Sequence, residues 1–568
     1  MAQPNFLVIL TDDQDSLLGG LQPMEKTRRA LAERGVSFTS AFVATPLCCP
    51  SRASFLTGLY PQSTLTTTNT LRGGCASSSW VDGAERRTFA ALLQRQGYRT
   101  GFSGKYLNNY AMPGSPDCPA WSSPSCFRRV PPGWDEWFAL QGNARYYHGR
   151  VSDNGELRSF GGEPADYLPE VFFKRTRGFI ETHLRNRTRS QPFLAVLSTP
   201  ACHSATLQSA AEPAPAHAGH FRGTRAPRTP NWNASAAQKH WLMRRAPPLS
   251  AETARLIDRL HGARWAALLA VDDHIDELVA TLRRWEQLDS TYVMLTSDHG
   301  YQLGQHRRPA DKRQPYEHNL RVPLLVAGPS PGVRTRANAS SAALVVASID
   351  LAPTLLHLAT GTPPAQMDGR SFAHYLMLDG GGGGGRDGGG GGDGGGGGDG
   401  GSWLASASTT TTTTTTTMTT TTTTTTRRDF LVVYAGEGQA PCGLAACWCA
   451  WVTKKGEAKR ADCSTTAAKR ALARGVVRRS GARHLLDAAN NSFACVRTLD
   501  VAAMGGRGED ALYCAFDDDE RFVELYDHRT DPWQLDNLAA VPSAAPLARR
   551  YAARLSELRA CRAETCRR

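Results

Sequence analysis

With 568 residues, 41% of them hydrophobic and 8% aromatic, the chain is too long for one small core and too apolar for a disordered or fibrous protein. Its 65 basic residues outnumber 52 acidic ones, giving +13, but 56 of the 65 are Arg, a bias that codon composition explains as readily as function. No basic run is interleaved with aromatics on a nucleic-acid-binding module, so nucleic acid is not an expected partner. No apolar run approaches the roughly 18 residues of a membrane span.

The chain begins with Met1–Gln3 and passes directly into the apolar run Phe6–Leu10, with no charged n-region or cleavage site. Fourteen cysteines and four Asn-x-Ser/Thr sequons, at Asn186, Asn233, Asn338 and Asn490, nonetheless point to an oxidising, glycosylating compartment. The expectation is a secretory-pathway protein whose leader is missing from this chain. Chance sequons in a cytosolic protein are the alternative.

Short apolar runs at Phe6–Leu10, Tyr98–Phe102, Phe193–Ser198, Tyr292–Leu295 and Val322–Ala327 alternate with helical stretches. This pattern predicts an α/β domain over residues 1–378, built on a large, mostly parallel sheet flanked by helices. Pro50 is suited to start a helix through Leu56. The spacing of Leu256, Leu260, Leu268, Ile275, Leu278 and Leu282 predicts a helix over Ser250–Trp285, with Asp272 and Asp273 on a solvated face or in a local polar contact.

Residues 379–428 are a glycine and threonine insert, expected to be flexible because it can bury almost no apolar surface. Beyond it, Phe430–Tyr434, Phe493–Thr498, Leu512–Phe516 and Arg521–Tyr526 read as closely spaced strands, and Leu547–Arg562 as a helix. Residues 429–568 should therefore form a smaller C-terminal α+β domain around an antiparallel sheet. Cys442, Cys447, Cys449, Cys463, Cys495 and Cys514 allow several disulfide frameworks, while Cys561 with Cys566 would close the C-terminus. Disulfides are expected here rather than zinc, because Cys447-Trp448-Cys449 fits no common zinc spacing.

Polar groups follow the predicted strands. Asp12-Asp13 follow the first, Gly104-Lys105 the second, Cys202-His203 the third and Asp298-His299 the fourth. Ligands of open α/β sheets sit outside the carboxyl ends of the strands, so these residues can meet in one crevice. Three carboxylates meeting there would repel unless a cation neutralised them, and oxygen donors suit Ca²⁺ or Mg²⁺. Taken alone, Asp12-Asp13 is as readily a helix cap.

The densest signal is Cys48-x-Pro50-Ser51-Arg52, followed by Thr57-Gly58. Two adjacent cysteines can simply be buried or disulfide-bonded. Beside an expected helix N-terminus, however, Cys48 would face backbone N–H groups that favour an anion. Arg52 in the first turn and Lys312 in Asp311-Lys312-Arg313 are the candidate cations.

With these residues the chain resembles the type I, formylglycine-dependent sulfatases, in particular the N-acetylglucosamine-6-sulfatase branch. The shared stretches include LTDDQD (10–15), LCCPSRASFLTG (47–58), GKYLN (104–108), KHWL (239–242), TSDHGY (296–301), DKRQ (311–314), YAGEGQ (434–439) and ELYDHRTDPWQLDNLA (524–539). The resemblance implies an alkaline-phosphatase-like fold. It also implies removal of 6-O-sulfate from N-acetylglucosamine in glycosaminoglycan-like sugars, and a lysosomal or extracellular setting.

Carried over by position, Cys48 becomes formylglycine, made by a formylglycine-generating enzyme. Asp12, Asp13, Asp298, His299 and the modified Cys48 would surround one Ca²⁺. Arg52 would steady the hydrated aldehyde, and Lys105, His203 and Lys312 would grip the sulfate and assist the leaving alcohol. Relatives often carry a histidine two residues after the lysine of the Gly-Lys motif, where this chain has Leu107. His148, Asn108 and Asn109 are candidates for the missing base. Alternatives are a broad arylsulfatase, a phosphodiesterase or phosphonate hydrolase of the related superfamily, and an inactive carbohydrate-binding homologue.

Overall fold

In the computed structural model, ten strands form one mixed sheet. They are β1 (Asn5–Thr11), β2 (Gly35–Phe38), β3 (Arg99–Lys105), β4 (Glu136–Leu140), β5 (Arg150–Asp153), β6 (Glu156–Ser159), β7 (Phe193–Ser198), β8 (Thr291–Ser297), β9 (Leu324–Ala327) and β10 (Ala339–Ser341). Their order is β10-β2-β9-β8-β1-β7-β3-β4-β5-β6. The structure describes residues 3–567 apart from 117, 119–123, 187–190, 205–209, 331–332, 334–338, 342–343, 378–427, 438–451, 455–456, 460–490 and 501–507.

The central run β8-β1-β7-β3-β4 is parallel throughout. Most pairings of the sheet are thus parallel, as expected, β10 with β2 among them; β9 runs antiparallel to both β8 and β2, and β5 and β6 add antiparallel hairpin strands. The run read at Val322–Ala327 is β9. Its apolar residues show burial but carry no mark of direction.

Both faces of the central strands are covered, which is why they read as unbroken apolar runs. In β1, Phe6, Val8 and Leu10 enter one core and Leu7 and Ile9 the other, the period of two expected of a strand. One face carries helices α2 (Leu168–Asn186) and α3 (Ala251–Arg284), the latter capped by the Ser250 side chain accepting from Thr253 N–H. Asp272 of α3 accepts from the backbone N–H groups of Lys26 and Thr27, and Asp273 pairs with Lys26 and His217, so both acids make local contacts.

The opposite face carries helix α1 (Cys48–Thr57), which starts two residues before Pro50. Cys48 is thus its first residue rather than a residue ahead of it, and Ser51 N–H makes the first intrahelical bond, to Leu47 O at 3.0 Å. The same face meets a second, antiparallel sheet of β11 (Asp429–Tyr434), β12 (Phe493–Leu499), β13 (Asp510–Phe516) and β14 (Val523–Asp527). The last strand starts two residues later than read, and helix α4 (Ala545–Ala560) ends with the Cys561–Cys566 disulfide.

Cys495 and Cys514 pair across β12 and β13. Cys442, Cys447, Cys449, Cys463, Asn338 and Asn490 lie outside the described residues, as does the glycine and threonine insert up to residue 427. Asn186 is exposed at the end of α2, while Asn233 is half-buried with its Oδ1 accepting from Leu249 N–H at 2.7 Å. No helix of the described residues is long and apolar enough to cross a membrane.

Candidate active site

β1 and β8 run in register, so Thr11 lies beside Ser297, and the residues that follow leave the sheet together. The two turns are stitched to each other. Asp298 Oδ1 accepts from Asp13 N–H at 3.0 Å, and Ser297 Oγ accepts from Gln14 N–H at 2.9 Å. Asp13 has φ 66°, a left-handed conformation that Asp tolerates better than most residues and that breaks the strand's alternation of faces. Asp12 and Asp13 therefore both reach the same buried site.

Helix α1 brings Cys48 and Arg52 to that point. Arg52 Nε donates to Asp298 Oδ2 at 2.9 Å, and its Nη1 donates to Lys105 O at 2.8 Å and Ser198 Oγ at 2.9 Å, joining the ends of three strands. Lys105 Nζ lies 2.7 Å from Asp12 Oδ2, and Lys312 Nζ lies 2.7 Å from Asp13 Oδ1. Fixed ammonium groups thus already neutralise two of the three carboxylates whose repulsion the sequence raised. Cys48 Sγ is 3.3 Å from His299 Nε2.

Ligand atoms of Asp12, Cys48, Asp298 and His299 all lie within 4.8 Å of one another, and so do those of Asp12, Asp13, Cys48 and His203. Every one of these residues is buried. Burial alone would favour neutral carboxyls at Asp13 and Asp298. Lys312, His203 and His299 around Asp13, and His299, Arg52 and Lys105 around Asp298, reverse this and hold both below the ordinary range. Burial opposes charge on His299 too, but Asp298 and Cys48 raise its pKa to about 9. His203 is pushed down to about 4 by burial.

Asp12 Oδ1 and Asp13 Oδ2 are buried without a hydrogen-bond partner. Two orphaned carboxylate oxygens in one cluster are costly unless something occupies the space between them, and a hard cation fits that donor set. The residues present therefore suit a metal ion. Three carboxylates balance Arg52, Lys105 and Lys312, and His299 adds a positive charge, so with a divalent cation the site is net positive and suited to an anionic ester.

The expected site residues Asp12, Asp13, Cys48, Arg52, Lys105, His203, Asp298, His299 and Lys312 thus converge. The candidates for the missing base make other contacts. His148 is exposed, with its N–H on Gly161 O and its ring against Gly162. Asn108 donates to Asn143 Oδ1 at 3.2 Å and Asn109 donates to Asn69 O; as amides neither accepts a proton near neutral pH.

Sequence reasoning missed Ser198, which bonds Arg52, and Arg264 of α3, whose Nη2 donates to Asp13 O at 2.7 Å. Ser198 ends a strand already read, so its position was available. Arg264 sits on a helix in a chain crowded with arginines, where nothing marked it.

The family model described as Sulfatase matches residues 4–362. The chain belongs to the sulfatase family. It is accordingly a sulfuric ester hydrolase. The N-acetylglucosamine-6-sulfatase of Capra hircus is 36% identical over 579 residues, covering 100% of this chain and 85% of that protein. That of Homo sapiens is 35% identical, covering 100% and 86%.

Among solved structures, a complex with its substrate D-glucosamine-2-N,6-O-disulfate shares the fold at TM-score 0.65 and 19% identity, covering 100% of this chain and 98% of that one. A phosphonate monoester hydrolase of Agrobacterium radiobacter shares it at TM-score 0.59 and 17% identity, covering 98% and 96%. The fold alone therefore does not choose between sulfate and phosphonate esters.

Proposed function

We propose that this sulfatase removes 6-O-sulfate from N-acetylglucosamine residues of glycosaminoglycan-like sugars, with Cys48 matured to formylglycine. The observation that carries this is the placement of Cys48 Sγ, buried on the first turn of α1 and 3.3 Å from His299 Nε2 within the acidic cluster. The full-length likeness to N-acetylglucosamine-6-sulfatases supports the choice of sugar.

The thiol Sγ stands where the matured residue carries its reacting oxygen. As formylglycine, residue 48 supplies a hydroxyl nucleophile through the hydrate of its aldehyde. Asp12, Asp13, Asp298 and His299 would hold a calcium ion, which would supply Lewis-acid polarisation of oxygen.

The remaining steps belong to side chains in view. Arg52 fixes Asp298 and the ends of β3 and β7 through its three hydrogen bonds. Lys105 and Lys312 hold the sulfate oxygens and stabilise charge on the transferring group. Lys312 stays charged because Asp13 overcomes the cost of burial. Lys312, which keeps its proton, supplies it to the departing sugar oxygen, and His203, which burial leaves neutral near pH 7, can do so only once protonated. His299 Nε2 is the imidazole nitrogen placed to exchange a proton with residue 48, a role that the sequence left between His148, Asn108 and Asn109.

Residues 1–378 form the catalytic domain and 429–568 the smaller domain, with 379–428 as an insert between them. The Cys49–Cys75, Cys118–Cys126, Cys495–Cys514 and Cys561–Cys566 disulfides support maturation in the secretory pathway, where a formylglycine-generating enzyme acts on Cys48. Sulfate release from N-acetylglucosamine-6-sulfate and from nitrophenyl sulfate, measured in parallel, tests the substrate. Turnover of the sugar ester supports the proposal. Turnover of the aryl ester alone replaces it with a broad arylsulfatase, and turnover of neither, with the aldehyde verified, replaces it with an inactive homologue.

A further inference from the structure

The YAGEGQ stretch, residues 434–439, has no part in the chemistry described so far. Its Glu437 follows β11 of the second sheet and reaches two segments that flank residue 48. One carboxylate oxygen accepts from the backbone N–H of Asn69, and the other accepts from Arg313 Nη1. Each of those residues holds part of the site in turn.

Asn69 Oδ1 accepts from Cys49 N–H at 2.8 Å. That N–H belongs to the first turn of α1, where helical amides have no intrahelical partner, and no side chain at Leu47 caps it. A residue twenty positions downstream therefore supplies the cap beside Cys48. Asn109, from the loop after β3, donates to Asn69 O and joins the same cluster. The Cys49–Cys75 disulfide ties the Asn69 loop to α1 a second time.

On the other side, Arg313 directly follows Lys312, whose Nζ lies on Asp13. Arg313 N–H donates to Pro46 O at 3.2 Å, its Nε lies 3.1 Å from Asp311 Oδ2, and Nη1 reaches Tyr434 OH at 3.2 Å. Its φ of 82° is a conformation that a non-glycine side chain rarely adopts, so its surroundings must hold it there. Glu437 supplies a charged hold on that residue.

We propose that Glu437 is a positioning residue for sulfate-ester hydrolysis. It clamps the Asn69 loop and the Lys312-Arg313 segment, so that the second sheet sets the distance between residue 48 and the Lys312 ammonium. This rests on the assignment of residue 48 as nucleophile. It predicts an effect on the chemical step more than on substrate capture, because Glu437 holds Asn69 and Arg313, which in turn hold the start of α1 and the segment that carries Lys312.

The test compares wild type, Glu437→Ala, Glu437→Gln and Cys48→Ala as secreted full-length chains. Activity on N-acetylglucosamine-6-sulfate is normalised to aldehyde content measured by peptide mass spectrometry. Glu437→Ala should lower kcat by roughly tenfold or more, as expected for misplacement of reacting groups, with KM changed less than about twofold. Glu437→Gln keeps an acceptor for Asn69 N–H but loses the ion pair, so its kcat should lie between the two. A Glu437→Ala kcat within twofold of wild type overturns the proposal, as does a loss confined to KM. If Glu437→Ala fails to fold, Glu437→Gln decides alone: a kcat equal to wild type overturns the clamp. An active Cys48→Ala control instead defeats the nucleophile assignment, whatever the Glu437 variants do.

Discussion

Arg52 and Asp298 form an ion pair sealed from solvent, with Nε donating to Oδ2 at 2.9 Å and both side chains at most 1% exposed. The pair joins the catalytic helix to the end of β8. Its value is positional, because two buried charges recover little more than the cost of desolvating them.

Removing one partner is a different matter, since it strands a buried charge. Arg52→Ala should destabilise the fold by roughly 3–5 kcal/mol and abolish activity. Denaturant unfolding and sulfate release check the two effects separately. A stable but inactive Arg52→Ala protein would show that Arg52 serves chemistry alone.

The orphaned oxygens of Asp12 and Asp13 predict dependence on a metal ion. Chelation should remove activity, and added calcium should restore it. Calcium at about 100 times its Kd should stabilise the fold by about 2.7 kcal/mol, read as a rise in Tm, and Asp13→Asn should shrink that rise. An unchanged Tm across calcium concentrations would contradict the assignment of these carboxylates.

The Glu170–His274 pair joins α2 to α3, with Oε2 2.6 Å from Nε2. The hydrogen bond from His274 pulls Glu170 down to about 2, against an ordinary value of 4.5. A carboxyl depressed in the folded state contributes stability that is fully present above 4.5 and lost as pH falls toward 2. Glu170→Gln should therefore flatten the fall of Tm across that window and leave its slope near neutrality unchanged. The carboxylate is more than a third exposed, so solvent screening keeps the effect modest.

The central strands were legible because burial on both faces leaves long apolar runs such as Phe6–Leu10 and Phe193–Ser198, and turn residues mark their ends. Strand direction at β9 was not, because burial carries no polarity. The start of α1 was misplaced by two residues, since Pro50 is compatible with several positions in a first turn and the cap that decides comes from Asn69, far along the chain. Asp12, Asp13, Lys105 and Asp298 lie at or just beyond strand ends and could be read from them, whereas Lys312 lies in the loop between β8 and β9. Glu437, Arg264 and Asn69 act through contacts between segments distant in sequence, which no local pattern encodes.

The account turns on residue 48. The most direct measurement is sulfate release from N-acetylglucosamine-6-sulfate by wild type and Cys48→Ala, both secreted in the presence of a formylglycine-generating enzyme, with peptide mass spectra of position 48. The account predicts an aldehyde at position 48 in active wild type, and a folded Cys48→Ala protein with no turnover. Full turnover by Cys48→Ala, or by wild type whose residue 48 remains a thiol, would contradict it.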